Sequence, residues 1–443
     1  MLLLLACSAP APQRPPGLPQ PAVLWPTDAV ELPTQAADPL PFTPDAVLQS
    51  LLDPKQDEPL PSWAGADVAS SIAINDNLWI WIFGDTLLGS LDGPCADDAA
   101  YCGRTITETD ETKLLRNSIG VAERGWFGSM EKIQTWWRRG PAGEATAALP
   151  SEDRNAFLWP LSGLVIDETL FIAANRHTLA SGLAPVGNVL LQIENPGDSP
   201  DAWQISERAI PGFVLAESGA AAISWTSALV AVGNWVYLVG ARQNDTRSET
   251  VLARLSLAEL MADSAAPLEP RFLLRNRSGR KVWSPHFDAE RLHVVPGLPG
   301  TSETTFEGYP GLGWVSFRIP PFSFEIRLYT ADDLLGPWRD RGVVYRLPAP
   351  WSTTATTGCA PEATPEERDS DCLRAVFIAY AVKSHPELAP DKGFALSYNV
   401  NLFGGDFGLA VEAAAALPGF YVPQMLSADS LDPAVLDAAA ETR

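Results

Sequence analysis

Asn117-Ser118-Ile119-Gly120-Val121 is the first of five short β-type runs whose recurrence decides the fold. The others are Asn188-Val189-Leu190-Leu191-Gln192, Thr250-Val251-Leu252-Ala253-Arg254, Glu325-Ile326-Arg327-Leu328-Tyr329 and Gly393-Phe394-Ala395-Leu396-Ser397. Their spacing of about 63 to 75 residues is that of a repeat architecture. A hairpin of one design precedes each of the first three. Ser71-Ile72-Ala73-Ile74 turns at Asp76-Asn77 into Leu78-Trp79-Ile80, Leu164-Val165-Ile166 turns at Asp167-Glu168 into Leu170-Phe171-Ile172, and Ala228-Leu229-Val230 turns at Gly233-Asn234 into Val236-Tyr237-Leu238. A further strand carrying a Trp follows several copies, at Gln134-Thr135-Trp136-Trp137, Trp203-Gln204-Ile205 and Trp338. Four strands per repeat, five times over, predict an all-β, five-bladed β-propeller spanning residues 62–430, with a large β-sandwich as the rival. Only Leu255 to Ala265 reads as a short helix.

Composition narrows the function. The 443 residues are 46% hydrophobic and carry a net charge of −23, which permits a large core and argues against a nucleic-acid partner. Leu2-Leu3-Leu4-Leu5-Ala6-Cys7 resembles the end of a bacterial lipoprotein signal, with Cys7 the lipidation site. The basic stretch that usually opens such a signal is missing, as it would be if the start codon lay upstream. Ser8 after the cysteine favours the outer membrane or cell surface. Residues 8–61, rich in Pro and Ala, read as a disordered tether. The remaining cysteines form two local pairs, Cys95 with Cys102 and Cys359 with Cys372, as expected of disulfides in an oxidising compartment.

In a propeller, residues at the start of each inner strand and the end of its antiparallel neighbour share one end of the central channel. Asp67 starts the first inner strand, Asp85 in Phe83-Gly84-Asp85-Thr86 ends the adjacent one, and Glu303 holds the corresponding start in the fourth repeat. Glu307 and Glu217 are the alternatives to Glu303. Paired carboxylates are what glycosidic cleavage requires: an acid for the leaving oxygen, and a base or nucleophile across the sugar. Trp63, Trp159 and Trp225 stand ahead of inner strands and offer flat faces to sugar rings, or else pack the blades. His385 in His385-Pro386-Glu387-Leu388, and Asn399 and Asn401 in Ser397-Tyr398-Asn399-Val400-Asn401, set polar groups in apolar strands, as pocket linings do. No serine-hydrolase, zinc-peptidase or nucleotide-binding fingerprint is present.

Trp79-Ile80-Trp81-Ile82-Phe83-Gly84-Asp85-Thr86, Arg116-Asn117-Ser118, Trp225-Thr226-Ser227-Ala228, Gly336-Pro337-Trp338, and the His385 and Ser397 motifs, in this order, resemble a bacterial domain-of-unknown-function family that includes endo-D-arabinanases. The resemblance runs from about Trp63 to Asn401. It implies a five-bladed propeller with a furanosidase-like site, and it carries the catalytic Asp roles onto Asp67 and Asp85; Asn117 is a further candidate for substrate binding. The two Cys-bearing insertions and the tether lie outside its pattern. The expectation is a lipid-anchored, extracytoplasmic, monomeric glycoside hydrolase acting on a furanose-containing polysaccharide. The alternative is a non-catalytic glycan-binding or surface-interaction lipoprotein. No cofactor is expected, an axial cation being left open.

Overall fold

The computed structural model describes residues 41–53, 61–92, 103–107, 114–124, 132–178, 185–215, 221–243, 247–262, 266–321, 323–348, 351, 376–389, 393–403, 407–417 and 419–431. The protein is all-β, built from antiparallel sheets that follow one another along the chain. Sheet I holds Ser70–Asn75, Leu78–Phe83, Ser118–Glu123 and Gln134–Trp136. Sheet II holds Ala156–Ile166, Thr169–Thr178, Pro185–Ile193 and Ile205–Ile210. Sheet III is centred on Ala221–Val232, Trp235–Gln243 and Ser248–Ser256 and is extended by Arg271–Arg275 and Lys281–Ser284. Sheet IV holds Glu307–Tyr309, Gly313–Arg318, Glu325–Ala331 and Arg339–Arg346.

Sheet V joins the two ends of the described chain. Val376–Ser384, Phe394–Phe403 and Gln424–Ala428 are completed by Thr43–Pro44, which pairs with Ser427 and Leu426. Phe42 enters the core and the helix Ala46–Leu52 follows, with Asp45 capping its first turn by accepting from Val47 and Leu48 N–H. The tether expected to run to residue 61 therefore gives way to folded structure by Phe42. All three predicted hairpins form. Asp167 and Glu168 adopt φ of 45° and 66°, the left-handed pair that a two-residue hairpin turn requires. The first four repeat runs lie on the third strands of their central hairpin sets. The fifth, around Phe394, is instead the second strand of sheet V, and the returning N-terminus supplies the fourth. The short helix near residue 257 is present as Leu257–Leu260, while the helix Phe407–Ala416 was not foreseen.

Each seam between successive sheets is filled by its own apolar cluster. Ile80 and Ile119 meet Leu158 and Leu191 between sheets I and II. Leu190 meets Trp225 and Leu238 between II and III, and Val239 and Leu252 meet Tyr329 and Trp338 between III and IV. Phe317 and Leu328 meet Phe377 and Leu396 between IV and V. Met425 of sheet V, with Leu52 and Trp63, meets Trp81 and Phe83 of sheet I. Alternation of apolar residues along each strand places one set on each face, so a central sheet is buried on both sides. No helix among the described residues is long and apolar enough to cross a membrane. Cys7, Cys95, Cys102, Cys359, Cys372 and Glu217 lie outside the described residues.

The innermost strands are fastened to one another in sequence. Ser162 Oγ donates to Thr226 O, Ser227 Oγ donates to Thr301 O at 2.6 Å, and Thr305 Oγ1 meets Ser384 Oγ at 2.6 Å. Ser71 Oγ meets His385 Nδ1 at 2.6 Å. Bulges interrupt three of these strands, at Leu161, at 225–227 and at 381–382. A bulge frees a backbone group and re-aims a side chain, and here the freed Leu161 carbonyl accepts from Lys383 Nζ at 2.5 Å.

Candidate active site

Asp67 and Asp85 occupy the junction where the chain crosses between sheet I and a separate three-stranded sheet of Ser62–Ala66, Thr86–Asp92 and Gly103–Ile106. Their backbones clasp each other: Asp67 N–H donates to Asp85 O at 3.3 Å and Gly84 N–H donates to Asp67 O at 3.1 Å. Asp67 Oδ2 accepts from the Tyr380 hydroxyl at 3.0 Å and the Tyr421 hydroxyl at 3.4 Å, while Oδ1 is buried without a hydrogen-bond partner among the described residues. Asp85 Oδ1 accepts from the Trp159 indole N–H at 2.7 Å and lies 3.5 Å from Arg116 Nη1. The guanidinium of Arg116 in turn sits over the Phe157 ring, 4.7 Å from its centroid.

Glu303 arrives from the segment that leads into Glu307–Tyr309. That segment is pinned by the Ser227 bond to Thr301 O, by Thr304 N–H donating to Ser227 O, and by Thr304 Oγ1 meeting Ser316 Oγ at 3.1 Å. Burial raises the Asp67 carboxyl well above its ordinary range, and the charges of Glu303 and Asp85 raise it further against the two tyrosine bonds. Glu303 is likewise raised by burial, with the ammonium of Lys383 opposing the shift. Lys383 is fully buried, and burial lowers it to about 8 while Glu303 resists. Tyr380 and Tyr421 are raised well above their usual values by burial and by Asp67, so both stay protonated donors. The Asp67 carboxyl thus feels both Glu303 and Asp85, and the buried Lys383 amine acts on Glu303.

Four of the six non-glycine residues with left-handed φ among those described surround this place: Val68 at 68°, Ala69 at 46°, Ala381 at 53° and Tyr421 at 58°. The β-branched Val68 is the least tolerant of that conformation. Such strain persists only where the surroundings impose it, and here it aims Asp67, Tyr380 and Tyr421 at one another.

The other predicted site residues divide sharply. Trp159 is partly exposed at the site, its ring tilted against His177 with centroids 4.1 Å apart. Trp63 and Trp225 are instead core residues, at 4% and 0% exposure, against Phe83 and Phe272. Asn117 is completely buried, and its side chain binds Leu149 N–H, Leu149 O and Leu158 O. Asn188 repeats the device in sheet II, accepting from Trp225 N–H at 2.8 Å. These asparagines latch one sheet to the next, which corrects the ligand-binding role expected of Asn117. Asn399 is also completely buried and donates to Ala66 O at 2.9 Å, supporting Asp67 from behind. Asn401 bonds the Tyr380 side chain and accepts from Leu402 N–H.

His385 is structural as well. It has no exposure, stacks on Trp81 at 4.7 Å, and is bonded by Ser71 and by Ser397 Oγ at 2.8 Å. Burial, helped by Lys383, lowers it to about 3, so it is neutral in the folded protein. Its unfolded counterpart takes up a proton near 6.5. The stability this difference supplies is complete above pH 6.5 and is lost as pH falls toward 3. Urea unfolding between pH 6.5 and 3 should therefore steepen in wild type and flatten in His385→Asn; equal slopes would contradict it. Glu387, raised by burial to about 7, contributes with the opposite sign between 4.5 and 7, so the comparison between variants isolates the histidine.

Glu307, the alternative to Glu303, belongs to a different group. It is raised by burial, bonded by Ser384, and acts on Glu387; it is not among the charges felt by Asp67. No group of three or more metal-ligating side chains among the described residues is arranged around an ion. Tyr380, Tyr421 and Lys383 escaped the sequence reading, and only the Tyr-flanked bulge at 381 hints at them.

Residues 58–264 match the family model described as Domain of unknown function (DUF5005). The matched segment takes in the Trp79–Thr86, Arg116–Ser118 and Trp225–Ala228 motifs that carry the expected resemblance to a domain-of-unknown-function family. No curated protein sequence matches the chain. Among solved structures, a Bacteroides ovatus protein provisionally described as a hydrolase aligns with TM-score 0.60 at 13% identity, covering 87% of this chain and 89% of that one. Zg3597, a family 117 glycoside hydrolase from the marine bacterium Zobellia galactanivorans, aligns with TM-score 0.41 at 13% identity over 91% and 98% of the two chains. The catalytic domain of the Coprinopsis cinerea GH62 α-L-arabinofuranosidase aligns with TM-score 0.39 at 9% identity over 88% and 97%. At these identities the likeness concerns the fold alone.

Proposed function

We propose that this protein is a glycoside hydrolase that cleaves a furanose-containing polysaccharide outside the cytoplasm. The observation that carries the reading is that the Asp67 carboxyl, held by the Tyr380 and Tyr421 hydroxyls, is raised by burial and further by the charges of Glu303 and Asp85. Repulsion between Asp67 and Glu303 opposes their ionising together and so favours one acid beside one base. Asp67 is the base or nucleophile, its ionised form supported by the hydroxyls of Tyr380 and Tyr421. Glu303 is the general acid, and Asp85, fixed by Trp159 and Arg116, orients the sugar and tunes Asp67. Trp159 supplies the partly exposed aromatic face.

The five sheets, each packed on the next and the last on the first, are read as the blades of a propeller closed by Thr43–Pro44. Incubation with arabinans, galactans and fructans tests the activity, with new reducing ends as the readout. Binding without cleavage would instead support the glycan-binding lipoprotein.

The export route is part of the proposal. Cys7→Ser should release the protein from the membrane fraction, and a variant that stays membrane-bound would end the anchor reading. Disulfides Cys95–Cys102 and Cys359–Cys372 fit the same compartment, and unreduced peptide mapping of exported protein would reveal them.

A further inference from the structure

We propose that a groove on the outer edge of sheet I binds a saccharide chain bearing carboxylates, apart from the carboxylate site. A cavity of about 820 Å³ opens between the strand Gln134–Trp136, the end of the helix Ala46–Leu52 and the turn Pro200–Ala202. Trp63, Trp136 and Trp137 line it together with Lys132, Arg138 and Arg139. None of the residues proposed for hydrolysis lines it.

Charge identifies the occupant. The chain carries a net charge of −23, yet the stretch 132–139 holds three cations and no acid. Asp53 and Asp201 stand at the cavity too, so the cations outnumber the acids there by three to two. Arg138 uses Nε on Ala148 O at 3.0 Å and lies 5.5 Å over the Trp136 ring, and Arg139 uses Nη1 on Gly143 O at 3.3 Å. Neither forms an ion pair among the described residues. A guanidinium has five N–H donors in a planar fork, so each retains donors suited to a carboxylate.

The aromatic residues identify the rest of it. Trp136 and Trp137 are partly buried, which leaves ring surface for the apolar faces of sugars. Indole faces and spare guanidinium N–H groups in one groove match a uronic acid chain better than a neutral one.

Calorimetry on the full chain with trigalacturonate and with neutral arabinotriose tests the assignment. Trigalacturonate should bind, and more weakly as salt is raised. Trp137→Ala and the double variant Arg138→Gln/Arg139→Gln should each lose about tenfold in affinity, with near-ultraviolet circular dichroism confirming the fold. Asp67→Asn should bind as wild type does, which separates this groove from the proposed hydrolytic site. Absence of trigalacturonate binding or an unchanged double variant would overturn it, as would loss of trigalacturonate binding in Asp67→Asn.

Discussion

Asp67→Asn and Glu303→Gln should each reduce hydrolysis by a factor of about 10² or more while leaving the folded protein at least as stable as wild type. The two effects have one cause. Both carboxyls are raised by burial, so the folded protein binds their protons more tightly than the unfolded chain does. Their favourable contribution is complete below the ordinary carboxylate range and is lost as pH rises through the raised values. At neutral pH a neutral amide removes that penalty along with the chemistry. A residue that merely holds the fold would lose stability when changed, so activity and thermal midpoint moving in opposite directions is the signature of the site.

The same pair of variants assigns the roles. The general acid matters most when the leaving group is poor, so its variant should recover on aryl glycosides and fail on polysaccharide. Recovery by Glu303→Gln supports Glu303 as acid. One observation favours the reverse: the Lys383 ammonium opposes the rise of Glu303, while Asp67, raised first by burial, is raised further by two neighbouring carboxylates. Recovery by Asp67→Asn would therefore exchange the two roles, and wild-type hydrolysis by Asp67→Asn would remove the mechanism.

Gly84→Ala should lower turnover by about 10² through displacement of a group it never replaces. A methyl at this position would collide with Asp67 Oδ1 and come within 2.9 Å of Val68 Cγ2. Val68 and Ala69 already hold left-handed conformations, so the loop has little freedom to yield, and the carboxylate must move instead. Gly187 is the control, since a methyl there meets nothing within 4 Å. Kinetics and unfolding of both variants decide the matter: equal activity would show that the position of Asp67 is not critical.

The hairpins were legible because two-residue turns and alternating apolar residues are local signals. Asp67 and Asp85 were legible for a related reason, since they flank one hairpin and its geometry brings them together. Asn117 and His385 were misread on the same kind of evidence. A polar residue in an apolar strand looks alike whether it faces a ligand or a buried carbonyl, and only the partners distinguish the two. For Asn117 they are Leu149 in the loop before sheet II and Leu158 of that sheet; for His385 they are Trp81, Ser71 and Ser397. The two-residue strand Thr43–Pro44 carries no periodicity at all, so its place in sheet V could not be read.

Local sequence determined the all-β class, the turns and the pair of aspartates, because each depends on residues a few positions apart. Tertiary structure decided which carboxyl groups meet and which donors attend them. Tyr380 and Tyr421 reach Asp67 from 313 and 354 residues away, and Lys383 reaches the Leu161 carbonyl across 222. Desolvation and like-charge repulsion exist only once sheets I, IV and V have closed together, so the protonation of Asp67 and Glu303 is a property of the assembled fold.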